Sequence, residues 1–289
     1  MYKNSSPMLA TDGVFLPEFP VALEPKLDGI RMLAAVENGT VSLFTRNGKP
    51  LDHLCGIADA VSKLGVNNVV LDGELLAADF DATISLSSRK GADNSASLVF
   101  HVFDVVSLDG YSSGVCLESY ADRRKRVESL TESERVKIVP MVVAESASEF
   151  EAFRTKCRAD GFEGIMAKSL TGQYSNDRSD DWLKFKDFLT FDAQIVGFEE
   201  GKGRYAGTLG ALIVEGEYEG RTIRTKVGSG FDDEQRNAFW AQRSQTPDYM
   251  VEVKCQEITK RGSARFPVFI RNRFDRVPEL AGTKRGFLF

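Results

Sequence analysis

Residues 1–18 carry little periodic signal, but from there apolar runs and turns follow one another closely. Residues 19–24 and 30–36 are apolar stretches of strand length, joined through Pro25-Lys26-Leu27-Asp28-Gly29. Glu37-Asn38-Gly39-Thr40 puts Asn-Gly at the centre of a tight hairpin, and 41–45 is the return strand, delivering Arg46-Asn47-Gly48. The period then changes. Apolar side chains at 54, 57, 58, 61 and 64 predict a helix over 51–64. Residues 69–76 read as an apolar strand interrupted by Asp72-Gly73-Glu74, a costly arrangement unless those carboxylates have a task or face water. The Ser-rich stretch 79–96 reads as a loop with a short helix. Residues 98–108 (LVFHVFDVVSL) read as a buried strand in which His101 is a packing residue.

A basic helix is expected over 120–130, a strand over 137–143, and an amphipathic helix over 148–158 with Gly161 as its C-terminal cap. Glu163-Gly164-Ile165-Met166-Ala167-Lys168 follows directly. In Asp181-Trp182-Leu183-Lys184-Phe185-Lys186, strand alternation puts Lys184 and Lys186 on one face and Leu183 and Phe185 on the other. Two like charges side by side are unfavourable unless an anion lies between them. The signal changes at 187–191, dividing the chain into domains 1–188 and 189–289. Short strands with glycine turns follow at 192–199, 210–218, 222–227, 249–257 and 268–273, a pattern that suits an OB-type barrel. The fold class is α+β.

With 289 residues, 42% hydrophobic and 27% charged, the chain has the composition of a soluble globular protein. Residues 1–11 show no signal-peptide pattern, and no run approaches the roughly 18 apolar residues of a membrane span, so no membrane partner is expected. Cys55, Cys116, Cys157 and Cys255 are scattered, without zinc-type spacing, and suit a reducing cytoplasm. The net charge of −5 argues mildly against nucleic acid. Distribution opposes that: between Lys254 and Arg276, seven Lys or Arg face only Glu257 and Asp275. This stretch is either a solvated basic face or a phosphate-contacting surface.

Lys26, between Glu24 and the Asp28-Gly29 turn, is either a surface lysine or an amine buried enough to lose its proton and act as a nucleophile. Lys26-x-Asp28-Gly29-x-Arg31 resembles the nucleotidyl-lysine motif of the covalent nucleotidyltransferase superfamily, which holds DNA ligases, RNA ligases and mRNA capping enzymes. Further stretches resemble its remaining motifs in order: Arg46-Asn47-Gly48, Asp72-Gly73-Glu74, Phe103-Asp104, Glu163 to Lys168 as the fourth, Asp181 to Lys186 as the fifth, and Arg265 to Arg276 as the sixth. The resemblance runs from about Glu24 to Arg276 and is closest to the short ATP-dependent DNA ligases of phages and bacteria. It implies a nucleotidyltransferase (adenylation) domain of antiparallel sheets with flanking helices, followed by an OB-fold β-barrel.

The resemblance also implies roles. Lys26 would attack the α-phosphorus of ATP, giving a lysyl-AMP; the AMP would pass to the 5′-phosphate of a nick, and the 3′-hydroxyl would displace it. Glu24 would read the adenine amino group, Phe103 would stack on the ring and Glu74 would hold the ribose. Arg31 and Arg46 would contact nucleotide or nick phosphate, and Lys184 and Lys186 the α-phosphate. Asp28 would serve the 3′-hydroxyl. Glu163, with Glu74, would place Mg²⁺ or Mn²⁺, directly or through water. Arg273 and Arg276 would orient pyrophosphate after domain closure; Arg276 stands where much of the family has Lys, and the two are not equivalent phosphate ligands. Gly201-Lys202-Gly203-Arg204 and the basic stretch nominate Lys202, Arg204, Lys260, Arg261 and Arg265, with Arg46, as DNA contacts. The expected partner is nicked duplex DNA, bound by a monomer without an added N-terminal DNA-binding domain, in the cytoplasm or, for a phage, the host's, serving replication or repair. The rival readings are an ATP-dependent RNA ligase, a GTP-dependent capping guanylyltransferase, and a non-enzymatic OB-fold binder. An NAD-dependent ligase is disfavoured by the lack of a cysteine-rich zinc segment.

Overall fold

The computed structural model describes residues 6–89, 93–245, 249–259 and 261–273. The chain divides into two units, 1–186 and 187–289. In the first, one sheet has the order β4-β3-β5-β6-β8, formed by β3 (Ile30–Glu37), β4 (Thr40–Thr45), β5 (Val69–Leu76), β6 (Val99–Ser107) and β8 (Val136–Ile138). The other has the order β1-β12-β10-β2-β9, formed by β1 (Leu9–Asp12), β2 (Val21–Lys26), β9 (Val142–Ala144), β10 (Gly164–Ser169) and β12 (Arg178–Lys186). Both are antiparallel except at β1–β12 and β6–β8. A short ladder joins β7 (Val115–Cys116) to β11 (Tyr174–Ser175). The helices are α1 (Cys55–Ser62), α2 (Phe80–Ser88), α3 (Leu108–Ser113), α4 (Tyr120–Glu128) and α5 (Ala147–Ala159).

Strand alternation explains the layering. In β3, Met32, Ala34 and Val36 pack into a core with Ile57 and Val61 of α1 and Val127 of α4, while Leu33 and Ala35 face a second core with Met8, Tyr174 and Trp182. The first sheet is therefore buried on both faces, which accounts for its nearly continuous apolar strands. In the second sheet, Leu23, Ile165, Ala167 and Phe185 pack with Phe150 and Cys157 of α5. The alternate residues of β2, β10 and β12 are left to line a cavity.

Most expected elements are present, with informative differences. The strand anticipated over 137–143 is two strands, β8 and β9, in different sheets; Pro140 between them cannot donate to a ladder. The Ser-rich stretch contains α2, capped by the Asp79 side chain on the Ala82 N–H. Helix α1 begins only at Cys55, although Leu51 and Leu54 join its core. Gly161 is left-handed (φ 83°) just beyond α5, as a C-terminal cap requires.

In the second unit all five expected strands form one sheet, β15-β14-β13-β16-β19. They are β13 (Leu189–Glu200), β14 (Leu209–Tyr218), β15 (Arg221–Val227), β16 (Met250–Cys255) and β19 (Val268–Asn272), accompanied by a hairpin of β17 (Glu257–Ile258) and β18 (Ala264–Arg265). Among the described residues no ladder joins β15 to β19, so no closed barrel is formed by them. Its core gathers Phe191, Ile195, Val214, Ile223, Val253 and Phe269. Helix α6 (Asp233–Gln242), absent from the sequence reading, is announced by a capping box between Asp232 and Gln235.

Candidate active site

The register of β2, β10 and β12 builds the site row by row. Gly164 lies opposite Lys26 on one side and Lys186 on the other; Met166 lies between Glu24 and Lys184; Lys168 lies between Ala22 and Trp182. A Cβ at Gly164 would come within 2.0 Å of the Phe185 carbonyl oxygen, and its φ of 153° is one that side chains avoid, so glycine is required for the three strands to close up here. Glu163, immediately before it, is thereby set between the two flanking lysines. It accepts from Lys26 through Oε2 and from Lys186 through Oε1 at 2.7 Å. Burial works to raise the Glu163 carboxyl's pKa, but Lys26 and Lys186 outweigh it and hold the group ionised below its usual range. Lys184 pairs with Asp12 at 3.2 Å. Both lysines of β12 thus point as alternation demands, and each already has a protein carboxylate for counter-ion.

The first sheet supplies the opposite wall. Arg31 donates from Nε and Nη2 to the two carboxylate oxygens of Asp72, both at 2.5 Å, and from Nη2 to the Met8 carbonyl at 3.0 Å. The fully buried Tyr174 hydroxyl donates to Asp72 Oδ2 at 2.6 Å and accepts from the Met8 N–H. Burial opposes the Arg31 charge, but the Asp72 pair overcomes it and keeps the guanidinium firmly protonated. Glu74, opposite Arg31 across β3–β5, behaves differently. Burial pushes its carboxyl up to about 7, with Arg31 and Lys26 only partly offsetting that. The interruption of an apolar strand by Asp72-Gly73-Glu74 is resolved by giving one carboxylate an ion pair and leaving the other a proton near neutrality.

At the far end is an arrangement that sequence reading missed. Glu24 is 2% exposed, and its oxygens accept from the Tyr120 hydroxyl, from Arg124 Nη1 at 3.4 Å and from Lys168 Nζ at 2.6 Å. The Lys168 ammonium in turn lies 4.4 Å from the Trp182 ring centroid, 4.6 Å from Phe103 and 4.8 Å from Tyr120. Burial lowers the Lys168 pKa and Glu24 counteracts it. The Phe103 neighbour Asp104 faces away, into a fully buried pair with Arg123 of α4. Lys168 was within reach of the sequence: it shares the parity of Gly164 and Met166, the face that turns to Lys26 and Glu24.

These walls enclose a cavity of about 510 Å³. Glu24, Lys26, Arg31, Arg46, Glu74, Phe103, Lys184 and Lys186 all line it, joined by Lys168, Arg178 and Trp182, which had not been nominated. Asp28 and Glu163 do not form its wall, Glu163 reaching it only through its lysines. Seven cationic side chains line the cavity against two carboxylates, so it is a positive pocket in a chain of net charge −5. The mixture of cations, a buried carboxylate and an aromatic face fits a nucleoside triphosphate. Among the described residues no group of three or more His, Cys, Asp or Glu side chains forms a metal cage. Of the two carboxylates nominated for a divalent ion, Glu74 lines the cavity, while Glu163 stands behind Lys26 and Lys186, each of which holds one of its oxygens.

The remaining nominated residues lie in the second unit. Arg273 is held by Asp192 at 2.9 Å and Glu252 at 3.8 Å. Lys202 and Arg261 are exposed; Arg204 stacks on Tyr205; Arg265 pairs with Glu257 at 3.1 Å. Lys260 and Arg276 lie outside the described residues. Among the described residues, no helix is long and apolar enough to cross a membrane.

A two-sheet unit with a lysine at the head of a positive, nucleotide-sized cavity is the architecture of a covalent nucleotidyltransferase. Residues 7–186 match the family model described as ATP dependent DNA ligase domain, and residues 200–273 match that of the DNA ligase OB-like domain. The chain belongs to the ATP-dependent DNA ligase family. It is 30% identical over 299 residues to a DNA ligase of Thermococcus fumicolans, an alignment covering 91% of this chain and 53% of that protein. It is 30% identical over 240 residues to the multifunctional non-homologous end joining protein LigD of Mycolicibacterium smegmatis, covering 81% of this chain and 30% of that one. The chain therefore spans about half the length, or less, of these relatives. A solved Lig E DNA ligase superposes with a TM-score of 0.73 at 25% identity, covering 93% of this chain and 99% of that one.

Proposed function

We propose that the protein seals 3′-hydroxyl/5′-phosphate nicks in duplex DNA, using ATP and Lys26 as the covalent carrier of AMP. The observation that supports this best is the convergence of Lys26, Glu24, Glu74, Phe103, Lys184 and Lys186 on one cavity. In the first step the Lys26 amine attacks the α-phosphorus of ATP; an N–P bond forms, the bond to the β-phosphate oxygen breaks, and pyrophosphate leaves. The amine must lose a proton to attack, so its contact with Glu163 has to be exchanged for one with the nucleotide. Lys184 and Lys186 neutralise the α-phosphate charge. Glu24, fixed by three donors, accepts from the adenine amino group, Phe103 stacks on the ring, and Glu74 holds the ribose. When bound, Mg²⁺ or Mn²⁺ supplies further charge neutralisation.

In the second step an oxygen of the nick 5′-phosphate attacks the same phosphorus and Lys26 leaves as the amine. In the third the 3′-hydroxyl attacks the activated 5′-phosphate and AMP departs, with Arg31 and Arg46 on phosphate and Asp28 serving the hydroxyl. Arg273 acts on the leaving pyrophosphate. Lys202, Arg204, Arg261 and Arg265 contact the DNA backbone, and the protein works as a cytoplasmic monomer. Incubation with α-labelled ATP or GTP tests the nucleotide reading: ATP alone should label Lys26, and labelling by GTP alone would move the protein to the capping enzymes.

A further inference from the structure

The Glu24 end of the cavity is built in two layers. Glu24, Lys168 and Val139 line it; Tyr120 and Arg124 stand behind Glu24 and touch it. They come from α4, where Tyr120, Arg124 and Glu128 follow one another at four-residue spacing on a single face. The Tyr120 hydroxyl donates to Glu24 Oε1, and Arg124 Nη1 donates to the same oxygen at 3.4 Å. Arg124 is itself fixed: its Nε donates to Glu128 at 2.9 Å and its Nη2 to the Val139 carbonyl at 2.8 Å. It therefore bolts Glu24 of β2 to the cavity residue that follows β8 in the other sheet.

The acceptor capacity of Glu24 is nearly used up. A carboxylate oxygen accepts about two hydrogen bonds, one for each lone pair. Among the described residues Oε1 has two donors, while Oε2 has one, the Lys168 ammonium at 2.6 Å. One acceptor position remains, on Oε2, the oxygen paired with the cavity-lining lysine. The Tyr120 hydroxyl is kept a donor, because burial, and after it Glu24 and Asp104, raises its pKa well above the ordinary phenol value. Adenine carries an amino group at its 6-position and guanine a carbonyl. The amino N–H satisfies the open position, whereas the carbonyl would meet it oxygen to oxygen. Resting on the nick-sealing reading, we propose that Tyr120 and Arg124 are positioning residues for nucleotide choice: they occupy Oε1 of Glu24 and so commit Oε2 to the 6-amino group of adenine. Without them the carboxylate is free to turn about its terminal bond and give both oxygens to Lys168.

The test compares the parent with Tyr120→Phe, Arg124→Lys and Arg124→Gln on two nucleotides, ATP and purine riboside triphosphate, which has hydrogen in place of the 6-amino group. Rates of Lys26 adenylylation are measured across nucleotide concentration, at a temperature where urea denaturation shows every variant folded. The parent uses ATP at least about tenfold better than the analogue, the order of one hydrogen bond to a charged acceptor. In Tyr120→Phe and Arg124→Gln the KM for ATP rises about tenfold with little change in maximal rate. The analogue is used within about twofold of the parental level, so the preference nearly disappears. Arg124→Lys, which keeps a charge for Oε1, retains part of it. Equal proportional losses on both nucleotides would reduce Tyr120 and Arg124 to scaffolding, and an unchanged preference for ATP would free Glu24 of them. Equal use of the two nucleotides by the parent would show that Oε2 does not read the amino group. Each of these results overturns the proposal. If the parent takes no label from either nucleotide, the nick-sealing reading fails, while equilibrium binding of the same two nucleotides to the same proteins still scores Tyr120 and Arg124.

Discussion

Lys168, buried, and Glu74, half-buried, are ionisable groups that the cavity treats in opposite ways. Lys168 keeps a carboxylate at 2.6 Å and three ring faces around it. Replacing it with Met would fill the aromatic cage but leave Glu24 with only the Arg124 guanidinium, at 3.4 Å, against its charge, and breaking one side of such a buried pair costs about 3–5 kcal/mol. Urea denaturation of Lys168→Met should show a loss of that size, whereas an exposed pair such as Lys63–Asp59 should contribute next to nothing. Glu74 has its pKa raised by burial from 4.5 to about 7. A raised carboxyl favours the folded state while protonated; its contribution is complete below the unfolded value near 4.5 and is lost as pH rises through about 7. Unfolding stability of the parent should therefore fall, relative to Glu74→Gln, across that interval. Equal pH profiles for the two proteins would contradict the burial argument.

At the scale of elements, the site is a product of strand parity. The sequence made legible the turn at Asp28-Gly29, the hairpin at Asn38-Gly39, all five strands of the second sheet unit, and the opposition of Lys184 and Lys186 to Leu183 and Phe185, because each depends on local period or turn chemistry. What stayed hidden depends on partners remote in sequence. Tyr120 and Arg124 of α4 reach Glu24 from about 100 residues away, and nothing in a basic helix announces that two of its charges are buried. The single strand anticipated over 137–143 failed for a readable reason, Pro140, and α6 was missed despite its capping box. Gly164→Ala tests the parity account. Its Cβ would meet the Phe185 carbonyl at 2.0 Å, so β10 and β12 must part. We expect destabilisation of at least about 3 kcal/mol and adenylylation lowered more than about a hundredfold. A folded, fully adenylylated variant would show that the three strands are not set by this glycine.

For the whole molecule, charge distribution outweighs charge sum. A chain at −5 carries a cavity walled by seven cations, and the positive field is local to where anions must enter. The second unit adds Arg273, which Asp192 and Glu252 hold in this structure. If it acts on pyrophosphate, Arg273→Ala should slow Lys26 adenylylation by at least about tenfold, the order of one lost charge-assisted contact, while sealing of a pre-adenylated nick stays near parental. Equal losses in both assays would mean that Arg273 supports the second unit and has no separate part in the first step.

The central claim is that Lys26 carries AMP from ATP to a DNA nick. The most direct measurement is sealing of a labelled 5′-phosphate nick with ATP and Mg²⁺, on all-DNA and RNA-containing duplexes in parallel, by the parent and by Lys26→Ala. The account predicts that the DNA nick is sealed by the parent and not by the variant. Sealing of RNA-containing nicks only, or equal sealing by Lys26→Ala, would contradict it.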